Sequence, residues 1–428
     1  ISAAEPRPRF GATFKLPLIY AGNTDAQPQV KKILGEKTAL VLTDNIRPVL
    51  ERENLAPARD KIHDLFLEHV MQQAPGYKKL IEMAGAPIMP TPAAVGVIME
   101  TIAKREHLNV IGVDIGGATT DVFSVFNGLF NRTVSANLGM SYSISNVLAE
   151  AGLANIMRWV PFTIDEQTLR NRIKNKMVRP TTIPQTLDEL QIEHAISREA
   201  LRLALIHHKS LATALKGVQQ ERTISDVFEQ QQSGKTLIDM LKLDLIVGSG
   251  GILSHAPRRV QSMLMMVDAY EPLGFTRLSV DSIFMMPHLG VLSTIDEKAA
   301  TDVFVRDCMV FLGTCIAPIG QGKDGERCAD YAITFPDGRV DKGTLSFGDL
   351  RLVPLASEEK VSITVQPVKQ VSVGAEAGVA VTREVQGGVV GLLLDGRGRP
   401  LQLPSDQAAR IASLTKWYRA VDLYPKGG

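Results

Sequence analysis

The chain has 428 residues, of which 45% are hydrophobic and 22% are charged, as is typical of a soluble protein with a sizeable core. Its length suggests about two to four domains. The formal net charge of +1 gives no indication of binding to nucleic acid or to an anionic membrane. No uninterrupted apolar run reaches about 18 residues, so no membrane helix is predicted.

The cysteines and the first residues bear on the compartment. Cys308, Cys315 and Cys328 show no C-x-x-C pair and no zinc-binding spacing. Buried free thiols in a reducing cytoplasm are therefore predicted. The chain begins with ISAAEPRPRF, without an initiator methionine or the pattern of a signal peptide. We expect a processed or truncated product in the cytoplasm.

The first hundred or so residues contain a predicted βαβ unit. Residues 17–20 (PLIY) and 38–43 (TALVLT) are apolar enough for short buried strands, and DAQPQVKKIL between them predicts a helix. Another helix is predicted over 57–73. TPAAVGVIMETIAKRE predicts a helix with Thr91 as its N-cap, which leads into a strand over 109–113.

A polar stretch, DIGGATTD, follows that strand at residues 114–121. DVFSVF and LFNRTVS after it are predicted strands, and Asn127-Gly128 between them is typical of a tight hairpin. The polar stretch therefore lies at a strand–turn–strand corner rather than at a strand–helix corner.

The rest of the chain changes character twice. Residues 163–217 are predicted to be mostly helical, and LDLIV at 243–247 to be a buried strand followed by a helix rich in methionine. After about residue 330, alternating segments such as KVSITVQPV and frequent glycines predict a β-rich region, with helical periodicity only at 406–419.

We therefore predict three domains. They are the remainder of an N-terminal lobe with the βαβ unit over 1–108, a lobe with a helical insertion over 109–329, and a β-rich C-terminal domain over 330–428.

The stretch DIGGATTD has the composition of a site for phosphate and magnesium. Asp114 at a strand end can meet a metal ion or a water, and Asp121 lies across the turn. Glycines let backbone N–H groups approach phosphate oxygens, and threonines offer hydroxyl donors. The predicted phosphate-binding residues are Gly116, Gly117, Ala118, Thr119 and Thr120. A tight turn that needs glycines and aspartates is the alternative.

A second glycine-rich motif follows the strand at 243–247. Adenine and ribose can lie against such a backbone, so we expect it to bound adenosine. The residues concerned are Gly248, Ser249, Gly250 and Gly251. A sharp strand-to-helix turn is the alternative. Leu253 occupies the last glycine position of G-x-G-x-x-G, which disfavours a Rossmann dinucleotide site.

Two other stretches are weaker candidates for a functional site. His207 and His208 are neighbours on a predicted helix and point in different directions, so solvated or partly buried histidines are favoured over a metal pair. GRGRP at 396–400 is interpreted as a basic surface turn, with contact to phosphate or to an acidic partner as the alternative.

The two motifs, in this order, resemble those of the superfamily of actin, sugar kinases and heat-shock chaperone ATPases. The segments IGVDIGGATTDVFSV, PLIYAGNTDAQ, SREALRLALIHHKS and GGVVGLLLDGRGRPLQLP resemble the glutamate mutase accessory protein family, called MutL or GlmL. This likeness runs from about residue 15 to 405. It implies an actin-like ATPase (ribonuclease H-like) fold of the α/β class, with helical insertions and a β-rich C-terminal domain.

The resemblance also implies a function. The family is thought to reactivate adenosylcobalamin-dependent mutases or aminomutases with ATP and Mg²⁺, so Asp114 and Asp121 would be the catalytic and metal-shell residues. The sequence departs from the superfamily in one respect, since no D-x-G-[ST] hairpin precedes residue 110. Efficient ATP hydrolysis is therefore in question. A non-hydrolysing nucleotide-binding scaffold and, less favoured, a small-molecule kinase are the alternatives.

Overall fold

The computed structural model describes residues 15–49, 54–86, 88–213 and 236–424. The described residues fall into two compact units, one before Met89 and one from Met89 onward. The domain boundaries predicted from the sequence stay a prediction.

The first unit contains the predicted βαβ unit. Strands β1 (Pro17–Tyr20) and β2 (Ala39–Leu42) pair in parallel, with helix α1 (Gln27–Leu34) between them in the chain. Helices α2 (Ala56–His69) and α3 (Tyr77–Met83) follow. The helix predicted over 57–73 is therefore confirmed, and it ends four residues early.

The second unit begins with helix α4 (Thr91–Glu106). Thr91 is the first helical residue and Pro90 holds the cap position, so the predicted N-cap is wrong by one residue. Three strands follow, β3 (Val110–Ile115), β4 (Thr120–Phe126) and β5 (Leu129–Ser135). Asn127 and Gly128 have φ of 50° and 75°, which suits the two-residue hairpin that the sequence predicts.

Eight α-helices and three strands follow between Ile144 and Ala317 in the described part of the chain. The helices are α5 (Ile144–Ala151), α6 (Leu153–Met157), α7 (Glu166–Val178), α8 (Leu187–Leu211), α9 (Gly251–Ser254), α10 (Arg259–Tyr270), α11 (Met286–Ser293) and α12 (Glu297–Val303). The strands are β6 (Leu245–Ser249), β7 (Gly274–Asp281) and β8 (Met309–Ala317).

These strands join one eight-stranded mixed sheet. Its order is β11-β14-β8-β7-β6-β3-β4-β5, where β11 is Leu350–Val353 and β14 is Gly391–Asp395. β3, β6 and β7 are parallel, and β4 runs antiparallel between β3 and β5. A meander followed by two parallel strands on its other side is the core of the ribonuclease H-like fold. The α/β fold class predicted from the sequence is thus confirmed.

Helices cover both faces of this sheet, as expected for parallel strands. Ile111, Val113 and Ile115 of β3 pack with α5, α8 and α10 in the largest apolar cluster. Val110 belongs to a second cluster on the opposite face, with α4 and α11. The sheet is therefore held in place from both sides, and its strand ends are fixed.

The C-terminal part is β-rich, as predicted. Strands β9 (Arg327–Thr334), β10 (Val340–Ser346), β12 (Lys360–Pro367) and β13 (Val381–Gln386) form an antiparallel sheet in the order β10-β9-β12-β13. One apolar cluster joins this sheet to the large one. Helix α13 (Gln407–Ala420) matches the helix predicted over 406–419.

Candidate functional site

Neighbouring strands of the large sheet carry polar residues at one edge. Asp114 lies near the end of β3, Ser249 ends β6 and Asp281 ends β7. Asp114 is in register with Ser249 on one side and with Asp121 of β4 on the other. Directly paired residues project from the same face of a sheet, so these side chains form a row. Ligands of open α/β sheets bind at the carboxyl ends of strands, which makes this edge the candidate site.

The Asp114 carboxyl group is in an unfavourable place for a negative charge. Burial and the neighbouring carboxylates of Asp121 and Asp281 raise its pKa from 3.8 to about 6, and the Ser249 hydroxyl offsets part of this rise. A bound divalent cation would counter both causes, because it favours the ionised carboxylate. The local electrostatics therefore fit a cation at this edge.

The second carboxylate already has a cationic neighbour. Burial raises the pKa of Asp121, and Arg132 and Thr119 act in the opposite direction. Arg132 Nη2 lies 3.4 Å from Asp121 Oδ1. That oxygen is buried and accepts no hydrogen bond from the described residues. Asp121 thus keeps an acceptor site for a water or a metal-bound ligand.

The donor set fits Mg²⁺ only if other ligands complete it. Within the described ranges, no group of three or more His, Cys, Asp or Glu side chains is arranged to hold a metal ion. Mg²⁺ commonly binds through one or two carboxylates and takes its remaining oxygens from water and substrate phosphates. Asp114 and Asp121 could supply the one or two carboxylate ligands that come from the protein.

The turn between β3 and β4 engages its carbonyl groups and leaves N–H groups free. The Gly116 carbonyl accepts a hydrogen bond from Met140 N–H at 3.0 Å, and the Gly117 carbonyl accepts from the N–H groups of Ser141 and Ser143 at 2.9 and 3.3 Å. Gly116 N–H donates to the Thr119 carbonyl at 2.9 Å. The N–H groups of 117–119 have no acceptor in the described part of the chain. Successive free N–H groups form an anion-binding concavity, so the turn suits phosphate oxygens.

Close packing fixes the turn in this orientation. A Cβ atom on Gly117 would lie 2.3 Å from Ser141 Oγ, and one on Gly139 would lie 2.5 Å from the Gly117 carbonyl oxygen. Thr120, predicted to hold phosphate, does not have a free hydroxyl, because its buried side chain donates to the Leu138 carbonyl at 2.6 Å. This part of the prediction is corrected, since Thr120 anchors the turn.

The second predicted motif lies against the first. Gly250 has a φ of +96°, and a Cβ atom there would lie 2.1 Å from the Ile115 carbonyl oxygen. Gly248 packs under Met266, whose Sδ would lie 2.7 Å from a Cβ atom. These two glycines are therefore explained by packing. Gly251 has open space around its Cβ position, so it is the glycine of this motif with room for a ligand.

Two residues at the site were missed by sequence reasoning. Asp281 ends a strand far along the chain, and Arg132 lies on the hairpin beside Asp121. An aspartate at the end of GFTRLSVD was the available signal for Asp281. Its side chain accepts hydrogen bonds from the N–H groups of Ile283 and Met286, at 3.2 and 3.0 Å. Arg132 had no signal, because only the strand register brings it near Asp121.

Other sequence predictions have mixed outcomes. The interpretation of GRGRP as a surface turn is wrong, because Arg397 and Arg399 are buried and pair with Asp395 at 2.8 and 2.6 Å. His208 is fully buried, with ring nitrogens 2.9 Å from the Thr133 hydroxyl and 2.8 Å from that of Ser124. It is a core histidine with both nitrogens engaged. The free, buried state predicted for the three cysteines is confirmed.

No helix in the described ranges is long and apolar enough to span a membrane.

Comparison with known proteins gives the family of this chain. A family model described as MutL protein matches residues 9–308, which is more than half of the chain. The chain therefore belongs to the MutL protein family.

A curated relative is similar over much of the chain. Protein MutL of Clostridium tetanomorphum is 26% identical over an alignment of 315 residues, which covers 67% of this chain. The alignment spans 65% of that relative's length. Among solved structures, (R)-2-hydroxyglutaryl-CoA dehydratase component A of Acidaminococcus fermentans matches with 13% identity and a TM-score of 0.26. The match covers 57% of this chain and 83% of that one.

Proposed function

We propose that this chain binds ATP with Mg²⁺ at the corner between β3 and β4. The main support for this proposal is that the free N–H groups at 117–119 lie beside Asp114 and Asp121, which are paired in the sheet. N–H groups bind phosphate oxygens, and the carboxylates would hold the hydration shell of the metal ion. When bound, Mg²⁺ would neutralise phosphate charge. The backbone at Gly250 and Gly251 would bound the adenosine.

Asp114 would also orient a water toward the terminal phosphate. A carboxylate with a pKa raised to about 6 is a better proton acceptor than an ordinary aspartate and is still ionised at neutral pH. Its position in register with Asp121 keeps both groups on one face of the sheet. Hydrolysis would then change the structure around the nucleotide and shift a bound partner between states.

The partner in this proposal is an adenosylcobalamin-dependent mutase or aminomutase in the cytoplasm, which the chain would serve as an accessory protein and reactivating factor. Membership of the MutL protein family supports this assignment. Opening a mutase would let damaged cobalamin leave. The test is recovery of an inactivated glutamate mutase by the chain with and without ATP. Recovery that does not depend on ATP would overturn the proposed role.

The binding site itself is tested by calorimetric titration of ATP and Mg²⁺. Asp114→Ala should weaken binding at least about tenfold, because it removes the central carboxylate of the row. Asp188→Ala is the matched control, because it removes an exposed carboxylate from the first turn of α8. Equal affinity of the Asp114→Ala variant and the unaltered chain would place the nucleotide elsewhere.

A non-hydrolysing nucleotide-binding scaffold is the second candidate. Arg132 lies 3.4 Å from Asp121 and competes with a metal ion for that carboxylate. Phosphate release under saturating ATP separates the two candidates, since a scaffold would bind ATP without turnover.

A further inference from the structure

Helix α7 and the loop after it form a strongly basic segment in a nearly neutral chain. No Asp or Glu occurs from 167 to 187, while five cationic side chains fall within ten residues. They are Arg170, Arg172, Lys174, Lys176 and Arg179. The net charge of the whole chain is only +1, so this concentration is a local feature.

Four of these five cations form no ion pair with another described side chain. Lys176 Nζ lies 2.7 Å from Glu193 Oε1. Among the residues that the structure describes, the other four make no side-chain hydrogen bond and no ion pair. Glu189 accepts from the N–H groups of Gln185 and Thr186 and completes a capping box. These hydrogen bonds and the charge of Arg172 lower the pKa of Glu189. Arg172, Lys174 and Arg179 are exposed, so the excess positive charge faces outward.

The unpaired cations line two concave sites on either side of α7. A cavity of about 500 Å³ lies between α7, the loop 179–185 and α8. Its walls include the cations of Arg172, Lys176 and Arg179, the carboxylates of Glu189 and Glu193, and apolar Ile144 and Ile192. A second, of about 400 Å³, includes Arg170 and Lys174. Leu169 and Ile173 are buried on the inner side of the helix. The helix thus offers cations on both flanks.

Exposed apolar side chains accompany the charge. Val178 is 73% exposed, Ile183 is 72% exposed and Met177 is 41% exposed. Single exposed apolar residues are common, but a group beside arginines has the composition of a protein interface, where Met and Arg are enriched. We call Arg170, Arg172, Lys174, Arg179, Met177, Val178 and Ile183 the α7 surface.

We propose that the α7 surface docks an acidic, amphipathic segment of a partner protein. Its carboxylates would pair with the unpaired cations, and an apolar side chain would enter the cavity beside Ile144. Arg pairs with carboxylates bidentately, which adds orientation to attraction. A nucleic acid fits less well, because residues 166–186 contain no aromatic side chain for base stacking. A flat lipid surface fits less well, because Arg170, Arg172, Lys174 and Arg179 line concave sites.

The α7 surface is joined to the candidate nucleotide site through one short segment. Ile144 lines the cavity, and the preceding Ser143 donates its N–H to the Gly117 carbonyl at 3.3 Å. A side chain that presses on Ile144 would therefore act on the phosphate turn. If the proposed function holds, the partner would be the mutase, but the docking inference does not depend on nucleotide binding.

Fluorescence anisotropy with a defined probe tests the proposal. The probe is a fluorescein-labelled amphipathic peptide of glutamate and leucine, with a lysine–leucine peptide of the same pattern as control. Arg172→Glu/Arg179→Glu should lose at least about tenfold in affinity for the acidic peptide, and added salt should weaken binding to the unaltered chain. Lys323→Glu/Lys369→Glu changes exposed cations elsewhere by the same charge and should bind normally.

A milder variant, Arg172→Gln/Arg179→Gln, keeps the test valid if charge reversal disturbs the fold, and it should lose a smaller part of the affinity. ATP affinity of each variant is measured in parallel, so failure of the nucleotide site is recognised separately. The proposal is overturned if the unaltered chain does not bind the acidic peptide, or if the arginine variants bind it equally well. Tighter binding of single-stranded RNA or phosphatidylserine vesicles would also overturn it.

Discussion

Replacing Asp114 by asparagine should stabilise the nucleotide-free protein while weakening nucleotide binding. The carboxyl group has a pKa of about 6 instead of 3.8, because burial and the carboxylates of Asp121 and Asp281 disfavour its charge. The difference between these two pKa values corresponds to a cost of about 3 kcal/mol for the ionised form at neutral pH. Asn keeps the size and loses the charge, so Asp114→Asn should raise the free energy of unfolding by about 1 to 3 kcal/mol.

The pH dependence has a definite sign. The pKa of Asp114 is higher in the folded chain than in the unfolded chain, so the folded chain binds more protons between pH 3.8 and about 6. Stability of the unaltered protein should therefore fall, relative to Asp114→Asn, as the pH rises through this window. The advantage of the variant should be full above about pH 6 and vanish below about pH 4.

Urea unfolding followed by tryptophan fluorescence measures the difference in stability between Asp114→Asn and the unaltered protein. Both tryptophans of the chain, Trp159 and Trp417, are buried in the unit that contains Asp114. A lower urea midpoint for Asp114→Asn than for the unaltered protein at neutral pH would refute the reasoning. So would an advantage of the variant that persists unchanged in acid.

Three further predictions follow from the site and its surroundings. Affinity for Mg²⁺ and ATP should rise from about pH 5 to 7 as Asp114 ionises. For Asp114→Asn, calorimetry should show only the pH dependence that comes from the nucleotide itself. Identical pH profiles of affinity for the variant and the unaltered protein would contradict this. Gly250→Ala should lower the free energy of unfolding by about 2 kcal/mol or more, since φ is +96° and Ile115 is in the way, whereas Gly251→Ala should leave the urea midpoint unchanged and weaken ATP binding. Arg397→Met should lower the free energy of unfolding, measured with urea, by about 3 to 5 kcal/mol, because it removes a buried cationic partner of Asp395 and Asp268. Replacing the exposed Arg339 by Met is the control. Equal losses of stability in the two variants would argue against the buried network.

The sequence predicted local structure better than distant contacts. The order of strands and helices was accessible because apolar runs bounded by turn residues are local signals, and Asn127-Gly128 predicted its hairpin correctly. The corner at 114–121 was recognised for the same reason. The burial of GRGRP could not be predicted, because a basic turn has the same local sequence whether it lies on the surface or in the interior. Its partner Asp268 comes from helix α10, more than one hundred residues earlier.

The candidate site shows the same limit. Asp114 and Asp121 are close in sequence, and their pairing follows from one hairpin. Asp281 reaches the site only because β7 is placed next to β6 in the sheet. Thr120 was assigned to phosphate on composition alone, and the fold instead directs its hydroxyl to Leu138. Residue type therefore indicated the place of the site, while strand register decided which side chains can take part.

Hydrogen–deuterium exchange with and without Mg²⁺ and a non-hydrolysable ATP analogue tests the central claim most directly. The N–H groups of 117–119 have no acceptor in the described part of the chain, so they should exchange quickly in the free protein. Binding should protect the peptides that contain 116–121 and 249–253, and Asp114→Ala should reduce this protection at the same concentration of analogue. Analogue binding that leaves exchange at 117–119 unchanged would contradict the account.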